Sequence, residues 1–164
     1  MMRQDSMLPV LLVEDNEIDI EITRRIVERS APAIDLTVAR DGAEALALLF
    51  GDQYRVPADR RPLLPRLVLL DLSLPQIEGQ EVLRRIKNHP DLSPVPVAIL
   101  TGATGERPLM ECLRLGSNMY FVKPISVADV TNLVSAVRQY WEVLETLQRR
   151  ASGEREKRDV DPQT

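Results

Sequence analysis

Apolar residues in this chain come in short blocks of two kinds. The first is the uninterrupted run: "MLPVLLV" (7–13), "LVLLD" (67–71), "VPVAILT" (95–101) and "MYFV" (119–122). Runs this short read as strands, and those covered on both faces need no polar alternation. "IDLTVA" (34–39) alternates instead and reads as a further strand. The second kind recurs at helical spacing. In "NEIDIEITRRIVERS" (16–30), Ile18, Ile22 and Ile26 stand four apart and predict one apolar face. "DGAEALALLF" (41–50) predicts a short helix rich in alanine and leucine, and "GQEVLRRIKN" (79–88) sets Val82, Leu83 and Ile86 on one face. "ERPLMECLRL" (106–115) predicts a helix stopped by Gly116. From Ser126, a fitting N-cap, a long helix is expected through Trp141 to about Arg150, with Val127, Val130, Leu133, Val134 and Val137 facing inward.

Five strands thus alternate with five helices. Parallel strands need crossovers, and helices supply them, so the pattern predicts a doubly wound α/β sheet covered on both faces. Two stretches lack a period. "GDQYRVPADRRPLLPR" (51–66) holds three prolines and four arginines and is long for a connection inside a compact domain. Residues 149–164 are polar and are expected to form a solvated, disordered tail after a folded unit at 7–148.

Composition narrows the classes without choosing among them. The 164 residues suit one domain, and a net charge of −4 argues against a dedicated nucleic-acid binder. The single cysteine, Cys112, excludes an intrachain disulfide framework and fits a small core residue on a helical stripe. No apolar run reaches the roughly 18–20 residues that span a bilayer, and "MMRQDSM" lacks a signal-peptide layout, so a cytoplasmic protein is expected.

The chemistry gathers at the strand ends, where ligands bind in such sheets. The first strand runs into Glu14 and Asp15, the third into Asp71, the fourth into Thr101, and the fifth into Lys123 and Pro124. Crowded carboxylates repel, and a hard cation offsets that repulsion. An oxygen donor set with no histidine or cysteine suits Mg²⁺ and argues against zinc. With a metal bound, Asp71 becomes a candidate nucleophile toward phosphorus, and Thr101 and Lys123 would steady the phosphoryl oxygens.

"LLVEDN", "LLDLSLP", "ILTG" and "YFVKP" together resemble, in order and spacing, the signature motifs of two-component receiver domains. The resemblance covers about residues 7 to 148. It implies a flavodoxin-like sheet of strand order 2-1-3-4-5. It implies that Glu14 and Asp15 form the acidic pair, that Asp15, Asp71 and the carbonyl of Ser73 ligate Mg²⁺, and that Asp71 accepts the phosphoryl group. Thr101 and Lys123 would hold that group, Tyr120 would be the aromatic switch, and the Lys123–Pro124 bond would be cis. Two departures stand out: the acidic pair is Glu-Asp where many relatives carry Asp-Asp, and Gly102 stands where alanine is more usual. Ser73 and Ala103 flank the site. The layout is similar to the single-domain regulators of phytochrome kinases, which implies a sensor histidine kinase partner.

Other readings are set against this one. A lone aspartate is most often a cap or loop acid, and Asp71 gains weight only from its partners. His89, in "NHPDLSP", reads as a loop residue, and the arginines of 51–66 as solvated. Tyr140, Trp141, Val143, Leu144 and Leu147 need cover, from the domain or from a second copy, which suggests a homodimer through the fourth helix, fifth strand and last helix. No membrane or direct nucleic-acid partner is expected, nor enzymatic turnover beyond the protein's own phosphorylation and dephosphorylation. A receiver-like scaffold without phosphotransfer is the alternative. An aspartate-based phosphatase would want a second aspartate where Ser73 stands. A flavin carrier would want a serine- and threonine-rich phosphate loop after the first strand.

Overall fold

The computed structural model describes residues 7–30, 33–51, 63–102 and 106–159, without the side chains of 106–109 and 154–159. The elements are β1 (Leu8–Val13), α1 (Glu17–Ser30), β2 (Ile34–Ala39), α2 (Gly42–Phe50), β3 (Leu67–Asp71), α3 (Gly79–Asn88), β4 (Val97–Thr101), α4 (Glu106–Leu115), β5 (Met119–Val122) and α5 (Val127–Asp159). All strand pairs are parallel, in the order β2-β1-β3-β4-β5, as expected. Every residue of β3 and β4 is buried, because helices cover both faces of the sheet centre. Two apolar clusters result. One joins α2, α3 and Cys112 to one sheet face, and the other joins Val27 of α1 and the start of α5 to the opposite face.

Local chemistry sets the helix ends. Asn16 Oδ1 accepts the N–H groups of Ile18 and Asp19 and caps α1. Asp41 Oδ1 accepts the Glu44 N–H at the start of α2. Ser126 and Asp129 exchange side-chain-to-backbone bonds, a capping box at the start of α5. Gly116, at φ +99, ends α4, and the Ser117 N–H returns to the Cys112 carbonyl.

Several expectations are corrected. The inward face of α1 is Ile20, Thr23 and Val27, while Ile18 is 71% and Ile22 39% exposed; only Ile26 of the expected trio is half-buried against the core. Both faces of this helix carry isoleucine, so apolar spacing alone does not fix which face turns inward. Val127 is also exposed, sitting in the first turn of α5 before that helix reaches the sheet, whereas Val130, Leu133, Val134 and Val137 are buried. β4 begins at Val97, not 95, since Pro96 has no N–H to offer a ladder. α5 runs through Asp159, well into the stretch expected as a tail. Residues 149–159 are rich in arginine, glutamate and lysine, which favour helix, and no proline intervenes before Pro162. Residues 160–164, 52–62 and Ala103 lie outside the described residues.

At the far end of the sheet, α5 is clasped to the domain. Trp141 Nε1 donates to the Arg66 carbonyl at 2.8 Å, and the Arg66 guanidinium lies 5.1 Å over the indole and 2.6 Å from Glu145. The Tyr140 hydroxyl donates to the Pro94 carbonyl. His89 caps α3 and lies edge-on to Phe50, a structural setting. Among the described residues, no helix is long and apolar enough to cross a membrane.

Candidate functional site

Parallel register brings the chemistry to one edge. Val13 pairs with Leu70, which leaves Glu14 and Asp15 beyond β1 beside Asp71 at the end of β3. Asp71 pairs with Leu100, and Thr101 pairs with Val122, so the hydroxyl and Lys123 follow on the next two strands. The Lys123 N–H also donates to the Thr101 carbonyl at 2.9 Å. Glu14, Asp71 and Thr101 are buried; Asp15 is exposed. Carboxylate oxygens of Glu14, Asp15 and Asp71 lie within 4.8 Å of one another.

The Lys123 ammonium sits among the acids. Its Nζ donates to Glu14 Oε2 at 2.6 Å, to Asp71 Oδ2 at 3.0 Å and to Asp19 Oδ2 at 3.0 Å. Burial by itself would lower its pKa, but the bonds to Glu14, Asp71 and Asp19 outweigh that and hold the group charged. Burial drives the Glu14 carboxyl well above the usual range, against the opposing pull of Lys123 and the Asn16 N–H, and neighbouring Asp71 adds to the rise. The pocket is therefore short of positive charge. Its donor set is oxygen throughout, which fits a hard divalent cation.

The segment after β3 is tightly built. The Ser73 N–H donates to Asp71 Oδ1 at 3.0 Å and orients that carboxylate. Gln76 adopts φ 65 while the Ile77 N–H reaches the Pro75 carbonyl at 2.8 Å, a γ-turn. A Cβ on Gly79 would collide with the Asp71 carbonyl and come within 2.7 Å of the Leu72 Cα. A Cβ on Gly42 would lie 2.7 Å from the Ile77 carbonyl. Both glycines let helix starts press on the loop that carries Asp71. The Lys123–Pro124 bond is cis. Tyr120, three residues before Lys123 on the carbonyl side of the cis bond, is half-buried against the α3 side of the core.

All of Glu14, Asp15, Asp71, Ser73, Thr101, Lys123 and Pro124 thus lie at the edge where sequence placed them. Sequence reasoning missed Asp19, Gly42 and Gly79. Asp19 reads as an ordinary first-turn acid favoured by the helix dipole, and the two glycines stand at helix starts, a signal only in hindsight of the packing.

Comparison with known proteins bears on this arrangement. The model of the response regulator receiver domain matches residues 10–136. Response regulator Rcp1 of Synechocystis sp. is 35% identical over 138 residues, 84% of this chain and 90% of Rcp1. The structure of the bacteriophytochrome response regulator AtBRR is 38% identical, covers 82% of this chain and 91% of its own, and superposes with a TM-score of 0.66. The Mn²⁺-bound form of Rcp1 superposes at 0.65, with 32% identity over 82% of this chain and 94% of its own. Receiver domains are signalling modules that bind a divalent metal and are phosphorylated on aspartate. The acidic edge of a parallel sheet, the lysine set among its carboxylates and these matches lead to one assignment: the chain belongs to the response regulator receiver family and is homologous to the phytochrome response regulators.

Proposed function

We propose that Asp71 accepts a phosphoryl group from a sensor histidine kinase of the phytochrome type, in a Mg²⁺-dependent step, and that the charge change alters partner binding or dimerisation. The observation that carries this reading is the contact set of Lys123, whose ammonium bonds Asp71 and Glu14 at the sheet edge. When bound, the metal would sit against Asp15, Asp71 and the Ser73 carbonyl, beside Glu14, and would neutralise charge on the phosphoryl oxygens. Asp71 supplies the attacking oxygen, fixed by the Ser73 N–H. Lys123 holds a phosphoryl oxygen, and the Thr101 hydroxyl donates to another. Tyr120 then moves inward on the α4 side and carries the change to the distal face. The protein catalyses only its own phosphorylation and dephosphorylation.

The receiver is assigned to 7–148 with an extended last helix, in a cytoplasmic protein without a direct nucleic-acid or membrane partner. A homodimer through α4, β5 and α5 is supported by the apolar residues that face leaves exposed: Met110, Leu113, Val122, Tyr140, Val143 and Leu147.

Intact mass after incubation with Mg²⁺ and acetyl phosphate tests the chemistry. Wild type is expected to gain one phosphoryl group and Asp71→Asn none. Equal labelling of both proteins would contradict the reading.

A further inference from the structure

We propose that Asp19 is a positioning residue for phosphoryl transfer: it holds the Lys123 ammonium at rest and surrenders it when a phosphoryl oxygen arrives. This rests on the phosphoacceptor reading of Asp71 and adds a residue to it.

An ammonium has three N–H donors. All three are spoken for in the resting protein, by Glu14, Asp71 and Asp19. Lys123 can therefore hold a phosphoryl oxygen only by giving up one of them. The three partners differ in what release would cost. The Glu14 side chain is 2% exposed, and stripping its cation would leave a buried carboxylate with only the Asn16 N–H in compensation. The Asp71 side chain is 5% exposed and is the group being phosphorylated, so its oxygens and the incoming phosphoryl share one place. The Asp19 side chain is 33% exposed and can exchange the ammonium for water. The Lys123–Asp19 bond is the exchangeable one.

Asp19 is also well anchored for this. Its own N–H is held by the capping Asn16 at 3.1 Å, so α1 delivers the carboxylate from a fixed backbone. Its negative charge is a fourth at an edge that already carries Glu14, Asp15 and Asp71. That charge competes for Lys123 and repels an anionic phosphodonor. Asp19 thus restrains phosphorylation at rest, and its release on phosphorylation reports the event to α1.

The transfer itself is balanced without a further reactant. With acetyl phosphate, an Asp71 oxygen forms a bond to phosphorus while the bond from phosphorus to the acetate oxygen breaks, and acetate leaves with the electron pair.

The test is the rate of phosphorylation by acetyl phosphate, followed by intact mass in the presence of Mg²⁺, for wild type, Asp19→Asn and Asp19→Glu. Asp19→Asn is expected to react about two- to fivefold faster, the range that loss of one partly screened charge allows. Asp19→Glu keeps the charge and is expected near the wild-type rate. A purely structural role predicts the opposite sign, since damage to the site slows transfer. A second reading uses no chemistry at Asp71: the ¹H–¹⁵N signal of the Lys123 ammonium, protected from exchange by its three acceptors, is expected to weaken in Asp19→Asn. A rate in Asp19→Asn equal to or below wild type, or an unchanged ammonium signal, overturns the inference while leaving Asp71 as phosphoacceptor. A wild type that takes up no label at Asp71 overturns the parent reading, and this inference with it.

Discussion

At the scale of single residues, Gly79 and Gly102 make a matched pair. Both flank the site, but a Cβ on Gly79 meets the Asp71 carbonyl and the Leu72 Cα, whereas one on Gly102 meets nothing within 4 Å among the described residues. Gly79→Ala is therefore expected to destabilise by about 1–3 kcal/mol, the usual cost of forcing extra volume into a packed site. Gly102→Ala is expected to fall within about 0.5 kcal/mol of wild type. Urea denaturation of the two variants measures the difference; equal midpoints would contradict the packing account. Sequence alone could not rank these glycines, because what separates them is a backbone contact made across the loop after β3. It could place Glu14, Asp15, Asp71, Thr101 and Lys123, because each stands at the end of an apolar run and parallel strands bring such ends together. Asp19 escaped for the converse reason. It lies in a helix, where an acid in the first turn needs no functional explanation, and its partner is 104 positions away in the chain.

At the scale of elements, strands were read more securely than helix faces. An apolar run buried on both sides has no phase to mistake, and β3 falls where it is expected; the edge strands β2 and β5 also keep their expected bounds. α1 has apolar residues on two sides, and their spacing does not decide which side is inward. α5 runs beyond its expected end because the polar residues of 149–159 are good helix formers, and polarity alone does not distinguish a solvated helix from a disordered tail. That helix divides its apolar residues. Trp141 is anchored on Arg66, while Tyr140, Val143 and Leu147 form a stripe at spacings of three and four that stays exposed. If a second copy covers the stripe, Val143→Glu combined with Leu147→Glu should shift the protein from dimer to monomer in light scattering without lowering the urea midpoint of the monomer. A wild type that is monomeric at every concentration, or a double variant of unchanged mass, would remove the proposed interface.

At the scale of the whole molecule, the sheet works as a frame that holds charges which would otherwise disperse. Fully buried central strands carry Asp71 and Thr101 to a common edge, and the neighbouring strand ends deliver Glu14 and Lys123 to contact. The fold class was legible in the alternation of runs and helical spacings, since right-handed crossovers leave few topologies for such a chain, whereas the strand order followed only from the resemblance to receiver domains. How the lysine distributes its three bonds was not legible, because side-chain contacts across four elements depend on distances that no pattern encodes. The central claim is that this frame makes Asp71, and no other carboxylate, a phosphoacceptor. Reductive trapping addresses it most directly: borohydride converts an aspartyl phosphate to homoserine, and peptide sequencing by mass spectrometry finds the position. After acetyl phosphate and Mg²⁺, homoserine is predicted at position 71 alone. Homoserine at 15 or 19, the corresponding reduced alcohol of glutamate (5-hydroxynorvaline) at 14, or neither at any position while the intact protein carries phosphate, would contradict the account.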